Sequence, residues 1–450
     1  MVTRSELRNA SAQAHKAGDL VKAARGYARY LALFPDDAGI WSNLGSLHRT
    51  AGRHEMALRA HRKAVALAPQ DVGLKNNLAN TLSDLGQYDE SISIRRWILE
   101  QEPSALNHLA MIGRCLRGKG EYRAAIKHLE AALEDHPEDA ELQLQLAFAL
   151  LGEGAYLSGF AAYASRWEAG ELKPRNLSYP EWQGEDLEGK SITVLPEQGF
   201  GDAVLFMRFL PVLKAHGAHV RLAVEGPMKR LFEGLPGVDE IVPVSDAAQP
   251  TDFWVNMMDL AAPGLVDGAV PAPAKLTVPQ DCVDRAKQIA APHQGKLKVG
   301  VVWTGSATYK GNAFRSFTHN EFLPLADVPN VQMFSLYKGP YLKAFYEDGA
   351  DSVMIDAASS DRDFADCAAM MQQMDLIITS DTATAHIAGS LGLPTWVILH
   401  WDPFWVWTHR GETTEWYPTA RLFRQHEPLQ WGGVMEDVKA ELVRFQRGFS

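Results

Sequence analysis

Two short segments set polar side chains where chemistry could be done. The first reads Glu197-Gln198-Gly199-Phe200-Gly201-Asp202-Ala203-Val204 and runs into the apolar stretch LFMRFLPVL. Glycines at 199 and 201 permit a tight turn, and the stretch that follows has a helical pattern. With no third glycine at 204 the dinucleotide fingerprint is incomplete. The chain also lacks the G-x-x-x-x-G-K-[ST] of a P-loop and the G-x-S-x-G of an esterase elbow. What remains is an aspartate at a helix start beyond the carboxyl end of a strand, where α/β sheets place ligands. Asp202 can face a ligand there or cap the helix, and these residues alone leave both open. The second segment is Asp381-Thr382-Ala383-Thr384-Ala385-His386, after DLIITS and before a helical run that ends at Pro394. Exposed N–H groups at 382 to 384, the hydroxyls of Thr382 and Thr384, and the helix dipole would make an anion site suited to a diphosphate. Asp381 is expected to cap the helix, since a second anion would repel phosphate. His386, one turn in, could donate to a phosphate or sit against the sheet.

These turns need a scaffold. The runs SITVLP, HVRLAVEG and EIVPV, then KVGVVW, VQMFSLY, DLIITS and TWVILH, alternate with helical patterns. Such βαβ rhythm implies parallel sheets covered by helices. A break near Pro292 to Lys298 divides them into two Rossmann-like halves facing a cleft, at 191–292 and 293–450. The segment 171–190, ELKPRNLSYPEWQGEDLEGK, reads as a linker with Trp182 as its anchor. Trp401, Phe404, Trp405 and Trp407 follow the last strand and could stack a base or sugar, or lock the halves together. Asp361-x-Asp363 opens a helix well before the 381–386 turn and is not expected to hold a metal.

At 450 residues the chain should form about three domains. A hydrophobic fraction of 46% and a charged fraction of 22% allow large cores. The net charge of -11 and the lack of any Lys/Arg run argue against nucleic acid as a partner. No secretory h-region and no apolar run of membrane-spanning length occur, so a cytoplasmic location is expected. Cys115, Cys282 and Cys367 lie too far apart for a C-x-x-C site, and reduced, buried thiols are expected.

Prolines at 35, 69, 103 and 137 and glycines at 18, 52, 86, 120 and 154 each step by 34 residues. Between them a pattern returns, seen in the second copy as Trp41, Leu44, Gly45, Gly52, Ala57, Ala64 and Pro69. Period, small positions and breakers together identify tetratricopeptide repeats. Four copies fall at about 4–37, 38–71, 72–105 and 106–139, and a fifth from 140 loses the pattern near Trp167, giving an α-solenoid over 1–170. The resemblance places Asn43, Asn77 and Asn80 on the inner wall, with Arg49, Arg114 and Arg117 nearby. Asn43 and Asn77 match positions where the repeats of O-linked N-acetylglucosamine transferases carry asparagines. An amide can both donate to and accept from a peptide backbone, although each Asn could equally be a solvated surface residue.

The G-x-G-D turn, W-x-G-x-x-x-x-K at Trp303 to Lys310, Y-K-G-P at Tyr337 to Pro340 and D-T-x-x-x-H-x-A-x-x-x-G-x-P from Asp381 resemble glycosyltransferase family 9. This is the heptosyltransferase-like group with the GT-B fold, and the similarity extends to bacterial proteins in which tetratricopeptide repeats precede the module. The first half is shorter than in lipopolysaccharide heptosyltransferases. The resemblance implies a solenoid followed by a GT-B pair of α/β halves, an inverting transfer, no metal and no cofactor besides the nucleotide-sugar substrate. Asp202 matches the family's catalytic base. Trp303, Gly305, Lys310, Arg315, Lys338, Asp381, Thr382, Thr384 and His386 fall on the donor side, and Gln198, Gly199 and Gly201 on the acceptor side. The expected activity is transfer of a sugar to Ser or Thr of a polypeptide held by the repeats. Similar repeat-linked transferases imply flagellin as one acceptor, with a nonulosonic acid on cytidine monophosphate as donor. Two other readings are a transferase for a lipid-linked or surface glycan docked through its repeats, and a non-catalytic scaffold. Self-association is compatible with each.

Overall fold

A computed structural model of the chain describes residues 3–170, 172–309 and 311–448. It divides into two compact units, one up to Ala149 and one from Leu150. The first unit is built of antiparallel helix pairs: α1 (Arg4–Lys16) with α2 (Leu20–Leu33), α3 (Ala38–Thr50) with α4 (His54–Leu67), α5 (Val72–Asp84) with α6 (Tyr88–Gln101), and α7 (Asn107–Gly118) with α8 (Tyr122–Asp135). The pairs coincide with the four expected copies, and α9 (Ala140–Glu153) and α10 (Tyr156–Tyr163) form an incomplete fifth. Gly18, Gly52, Gly86 and Gly120 each follow the first helix of a pair with φ between 69° and 78°. That left-handed conformation ends a helix cheaply only in glycine. Gly45 serves closeness instead, since a Cβ there would lie 1.9 Å from the His61 ring.

The second unit holds two parallel sheets. The first contains β1 (Ser191–Leu195), β2 (His219–Val224), β3 (Glu240–Pro243) and β4 (Phe253–Asn256) in the order β3-β2-β1-β4. Its helices are α11 (Phe200–Phe206), α12 (Pro211–Ala215), α13 (Lys229–Phe232) and α14 (Ala261–Gly264), and α15 (Gln280–Ala290) crosses to the second half. The second sheet contains β5 (Leu297–Val302), β6 (Val331–Ser335), β7 (Met354–Asp356), β8 (Leu376–Ser380), β9 (Thr395–Leu399) and β10 (Ala420–Arg424), ordered β10-β9-β8-β5-β6-β7. Around it lie α16 (Asn312–Arg315), α17 (Leu342–Glu347), α18 (Phe364–Met371), α19 (Ala383–Ser390) and α20 (Gly432–Arg447). Counted from its own first strand, this is the doubly wound order 3-2-1-4-5-6. Central strands β8 and β9 are buried along their whole length, as strands covered on both faces must be. The α-solenoid and the two Rossmann-like halves are therefore as expected, and among the described residues no helix is long and apolar enough to cross a membrane.

Three strands, β4, β7 and β10, were not anticipated. The expected linker is also more ordered than its composition suggests: Trp254 donates from its backbone to Pro180 O (2.9 Å) and Trp254 O accepts from Trp182 (2.8 Å). Its buried anchor is Tyr179, whose hydroxyl donates to Ala247 O at 2.6 Å, while Trp182 lies half-buried beside His216. Helix α10 belongs to the second unit. Phe160 packs among Phe206, Phe209, Trp405 and Trp416, and the Tyr156 hydroxyl donates to Glu415 at 2.5 Å.

Candidate active site

In each sheet the strand order reverses beside the first strand, between β1 and β4 and between β5 and β8, which opens a crevice at the carboxyl ends. The chain leaves β1 through Gln198, a non-glycine residue at φ 59°, and enters α11 at Gly199. The Gly199 N–H donates to Asp202 Oδ2 at 3.0 Å. Asp202 thus makes the capping contact from the third helical position, and its other oxygen is not used in that bond. Gly201 lets α11 meet α19, because a Cβ there would lie 2.8 Å from His386 Cδ2 and 3.4 Å from Ala383 Cα.

The facing turn differs from expectation. Asp381 does not cap α19: Thr382 is the N-cap, and Asp381 Oδ1 accepts from Trp407 Nε1 at 2.8 Å. Trp407 is wholly buried, so its indole N–H needs that acceptor. Thr382 and Thr384 are buried as well, and the expected row of exposed N–H groups narrows to the half-exposed Ala383. The cation at this turn is Arg315, whose Nη1 lies 4.0 Å from Asp381 Oδ2 and whose guanidinium stacks 4.5 Å over the Tyr309 ring. Its buried Nε–H has no acceptor among the described residues. Asn312 ties down the loop before it, accepting from Gly305 N–H at 3.2 Å and donating to Thr304 Oγ1 at 3.0 Å. Gly305 allows that loop to touch the other turn, since a Cβ would meet Thr382 Cγ2 at 3.1 Å and Arg315 Nη2 at 3.4 Å.

Burial pushes the Asp202 carboxyl up to about 6; the Gly199 N–H opposes this, Asp381 adds to it and Arg315 opposes it. Burial also holds His386 down at about 4, so its imidazole is neutral at pH 7. His386 packs between Trp407 and Tyr417, with Nδ1 3.1 Å from the Tyr417 hydroxyl. His386 thus sits in the core, with its Cδ2–Nε2 edge toward Gly201. Arg208 stacks on Tyr417 at 4.9 Å and donates to Trp416 O and Pro271 O.

The structure does not gather every expected residue. Lys310 lies outside the described residues. Lys338 donates to the Asp361 carbonyl, away from the turn. Trp303 is core, packed on Tyr337 and Phe345, and backs an open cleft of about 510 Å³ that Thr308, Tyr309 and Asn312 also line. Gln198 is exposed at the turn, and its amide donates to the Tyr163 hydroxyl at 2.6 Å. Trp405 and Trp407 are buried and lock the structure, while Trp401 is half-buried 5.9 Å from Phe314. Asp361 pairs with Arg285, and Asp363 caps α18 and pairs with Arg230. The three cysteines are buried and free. In the repeats Asn43 is exposed, Asn77 donates to Ser42 Oγ at 3.0 Å, and Asn80 accepts from the buried Arg95 at 2.7 Å. Asn80 is thus held by the scaffold. Tyr163, Arg166, Arg208, Asn312 and Tyr417 carry structural roles at the site that no local pattern announces.

Two family models described as tetratricopeptide repeat match residues 4–110 and 110–174. The N-terminal region is therefore made of tetratricopeptide repeats. Among curated proteins, Protein FlbA of Caulobacter vibrioides is 28% identical over 319 residues, 64% of this chain. The match spans 52% of that relative's length, about half. Among solved structures, a glycosyl transferase family 9 protein from Veillonella parvula aligns over 59% of this chain and 99% of its own, with a TM-score of 0.46 and 14% identity. MamA protein aligns over 38% of this chain and 98% of its own (TM-score 0.34, 17% identity). A tetratricopeptide repeat protein from Parabacteroides merdae aligns over 36% and 64% (TM-score 0.33, 20% identity).

Proposed function

We propose that the chain is a cytoplasmic protein glycosyltransferase that moves one sugar from a nucleotide-sugar donor to a Ser or Thr hydroxyl of a polypeptide recruited by the repeats. One observation carries the reading: a carboxylate poised near pH 6 at the end of β1 faces an arginine at the ends of β5 and β8. Asp202 takes the proton of the acceptor hydroxyl as its oxygen attacks the anomeric carbon. The bond from that carbon to the phosphate oxygen breaks on the opposite face, and the leaving phosphate keeps the electron pair. Arg315 and the α19 N-terminus offset the charge that develops, which is the part a metal plays in other transferases. Neutral His386 can add a hydrogen bond but no charge. The family resemblance makes flagellin one acceptor within this proposal and a cytidine monophosphate sugar one donor.

A thermal-shift panel of nucleotides and nucleotide sugars identifies the donor, since a ligand at 100 times its Kd stabilises by about 2.7 kcal/mol. With that donor, Asp202→Asn should bind as wild type does and transfer at least about 100-fold more slowly, because an amide cannot accept the proton. Transfer at near wild-type rate would leave Asp202 as a helix-capping residue only.

A further inference from the structure

We infer that Tyr163 and Arg166, at the end of the incomplete fifth repeat, are positioning residues that set the geometry of Asp202. The inference rests on Asp202 being the base. Arg166 is 1% exposed and binds the Glu197 carboxylate with both arms of its fork, Nε to Oε1 at 3.0 Å and Nη2 to Oε2 at 3.1 Å. Nη2 also donates to Asp259 Oδ1 at 2.7 Å, and Nη1 to the Tyr163 carbonyl at 3.1 Å. Burial works against the Arg166 charge, but Asp259 and Glu197 overcome it, so the guanidinium holds its proton more firmly than usual. Asp259 Oδ2 accepts in turn from Asn256, the last residue of β4. One buried fork therefore joins the ends of β1 and β4, the two strands that border the crevice, to the segment 163–166.

The second tie acts on the turn itself. Gln198 follows Glu197 and is held at φ 59°, a region that an L side chain enters only when its surroundings fix it. Its amide donates to the Tyr163 hydroxyl at 2.6 Å. The peptide after Gln198 carries the Gly199 N–H that binds Asp202. Rotation of the Gln198 backbone toward a relaxed conformation would swing that N–H off the carboxylate. The path from the fifth repeat to the base is thus three residues of backbone, pinned at Glu197 and at Gln198. A helix serving only as a solenoid cap would need neither contact.

Full-length Tyr163→Phe tests this, since it removes one oxygen and leaves the ring in place. Asp202 is titrated by 13C NMR of protein labelled at aspartate carboxyls, with its signal identified by its loss in Asp202→Asn. The other groups facing it are Asp381, Arg315, Tyr163 itself, Tyr417 and His386; burial raises both tyrosines and keeps the imidazole neutral, while Glu197, which burial raises to about 7 against the pull of Arg166, changes charge in this range but is not among the aspartate carboxyls whose signals are read. In Tyr163→Phe the Asp202 midpoint should rise by roughly one pH unit as the Gly199 bond loosens. The acid limb of kcat should move with it, and kcat should fall about tenfold while donor KM stays within about twofold. Arg166→Lys, which keeps the charge and loses the fork, should move the midpoint the same way. Unchanged midpoints and kcat in both folded variants would overturn the inference. The midpoint is read without substrate, so it decides the positioning even if Asp202→Asn proves active and the base assignment falls.

Discussion

A carboxyl held near pH 6 is costly to keep ionised, and that cost is measurable. Asp202 titrates at about 6 in the folded chain against an ordinary 3.8. Between those values the folded state binds the proton and the unfolded state does not, so the pair of pKa values makes stability rise as pH falls from about 6 to 4. Above pH 6 the penalty is fully present, at most about 3 kcal/mol for a shift of this size and less for a half-buried group. Asp202→Asn removes it, and the amide oxygen can still accept from Gly199. The variant should therefore melt a few degrees above wild type at pH 7.5, with the gap closing near pH 4, by calorimetry at both values. A variant that melts lower at pH 7.5 would mean that the carboxylate is held without strain. The site's outline was legible at this scale because Asp202, Arg315, Asp381 and His386 sit in short motifs with glycines and strand ends beside them. Tyr417 and Arg208 were not. Arg208 donates to Trp416 O across 208 positions of sequence, and Tyr163 lies within a repeat whose period says nothing of Gln198.

Strands were legible where a run of apolar, β-branched residues marked them. All the central strands announced themselves as apolar runs, while β4, β7 and β10 were missed, and each lies at the edge of its sheet. Composition and length separate them: β10 carries Arg421 and Arg424 and β7 has only three residues, whereas β3, an edge strand too and more exposed than β4, was marked by Ile241 and Val242. The helix pairs were legible because their glycines do two separable jobs at fixed spacing. Gly52 is at φ 71° with open space where a Cβ would go, so Gly52→Ala costs backbone strain of roughly 1–2 kcal/mol. Gly45 has an ordinary φ and no space, since its Cβ would overlap the fully buried His61 ring. Gly45→Ala must displace that ring within α4, an overpacking cost of about 2–3 kcal/mol. Urea unfolding of the two full-length variants should rank Gly45→Ala the less stable. Equal midpoints would show that His61 has room to turn aside.

At the scale of the whole molecule, the repeat array divides between the solenoid unit and the α/β unit. Period alone places the fifth pair with the solenoid, whereas Phe160, Tyr163 and Arg166 bind side chains of the α/β halves. Removal of residues 1–170 would strip Arg166 from Glu197 and Asp259 and leave two acids at its former place, a loss of about 3–5 kcal/mol for a broken buried pair. Removal of residues 1–139 takes the four complete repeats and keeps α9 and α10 whole. The shorter deletion should therefore stay folded and bind the nucleotide-sugar donor as the full chain does, while the longer one should precipitate or lose donor binding. If the repeats recruit the acceptor, the 1–139 deletion should also lower transfer to the intact polypeptide far more than transfer to a short acceptor peptide, because only a captured polypeptide gains from high effective concentration. Point variants sharpen this without truncation: Asn43→Ala with Asn77→Ala spares Asn80, whose loss would orphan the buried Arg95. Equal transfer to polypeptide and peptide in both the deletion and the double variant would move the repeats from acceptor recruitment to docking with another protein.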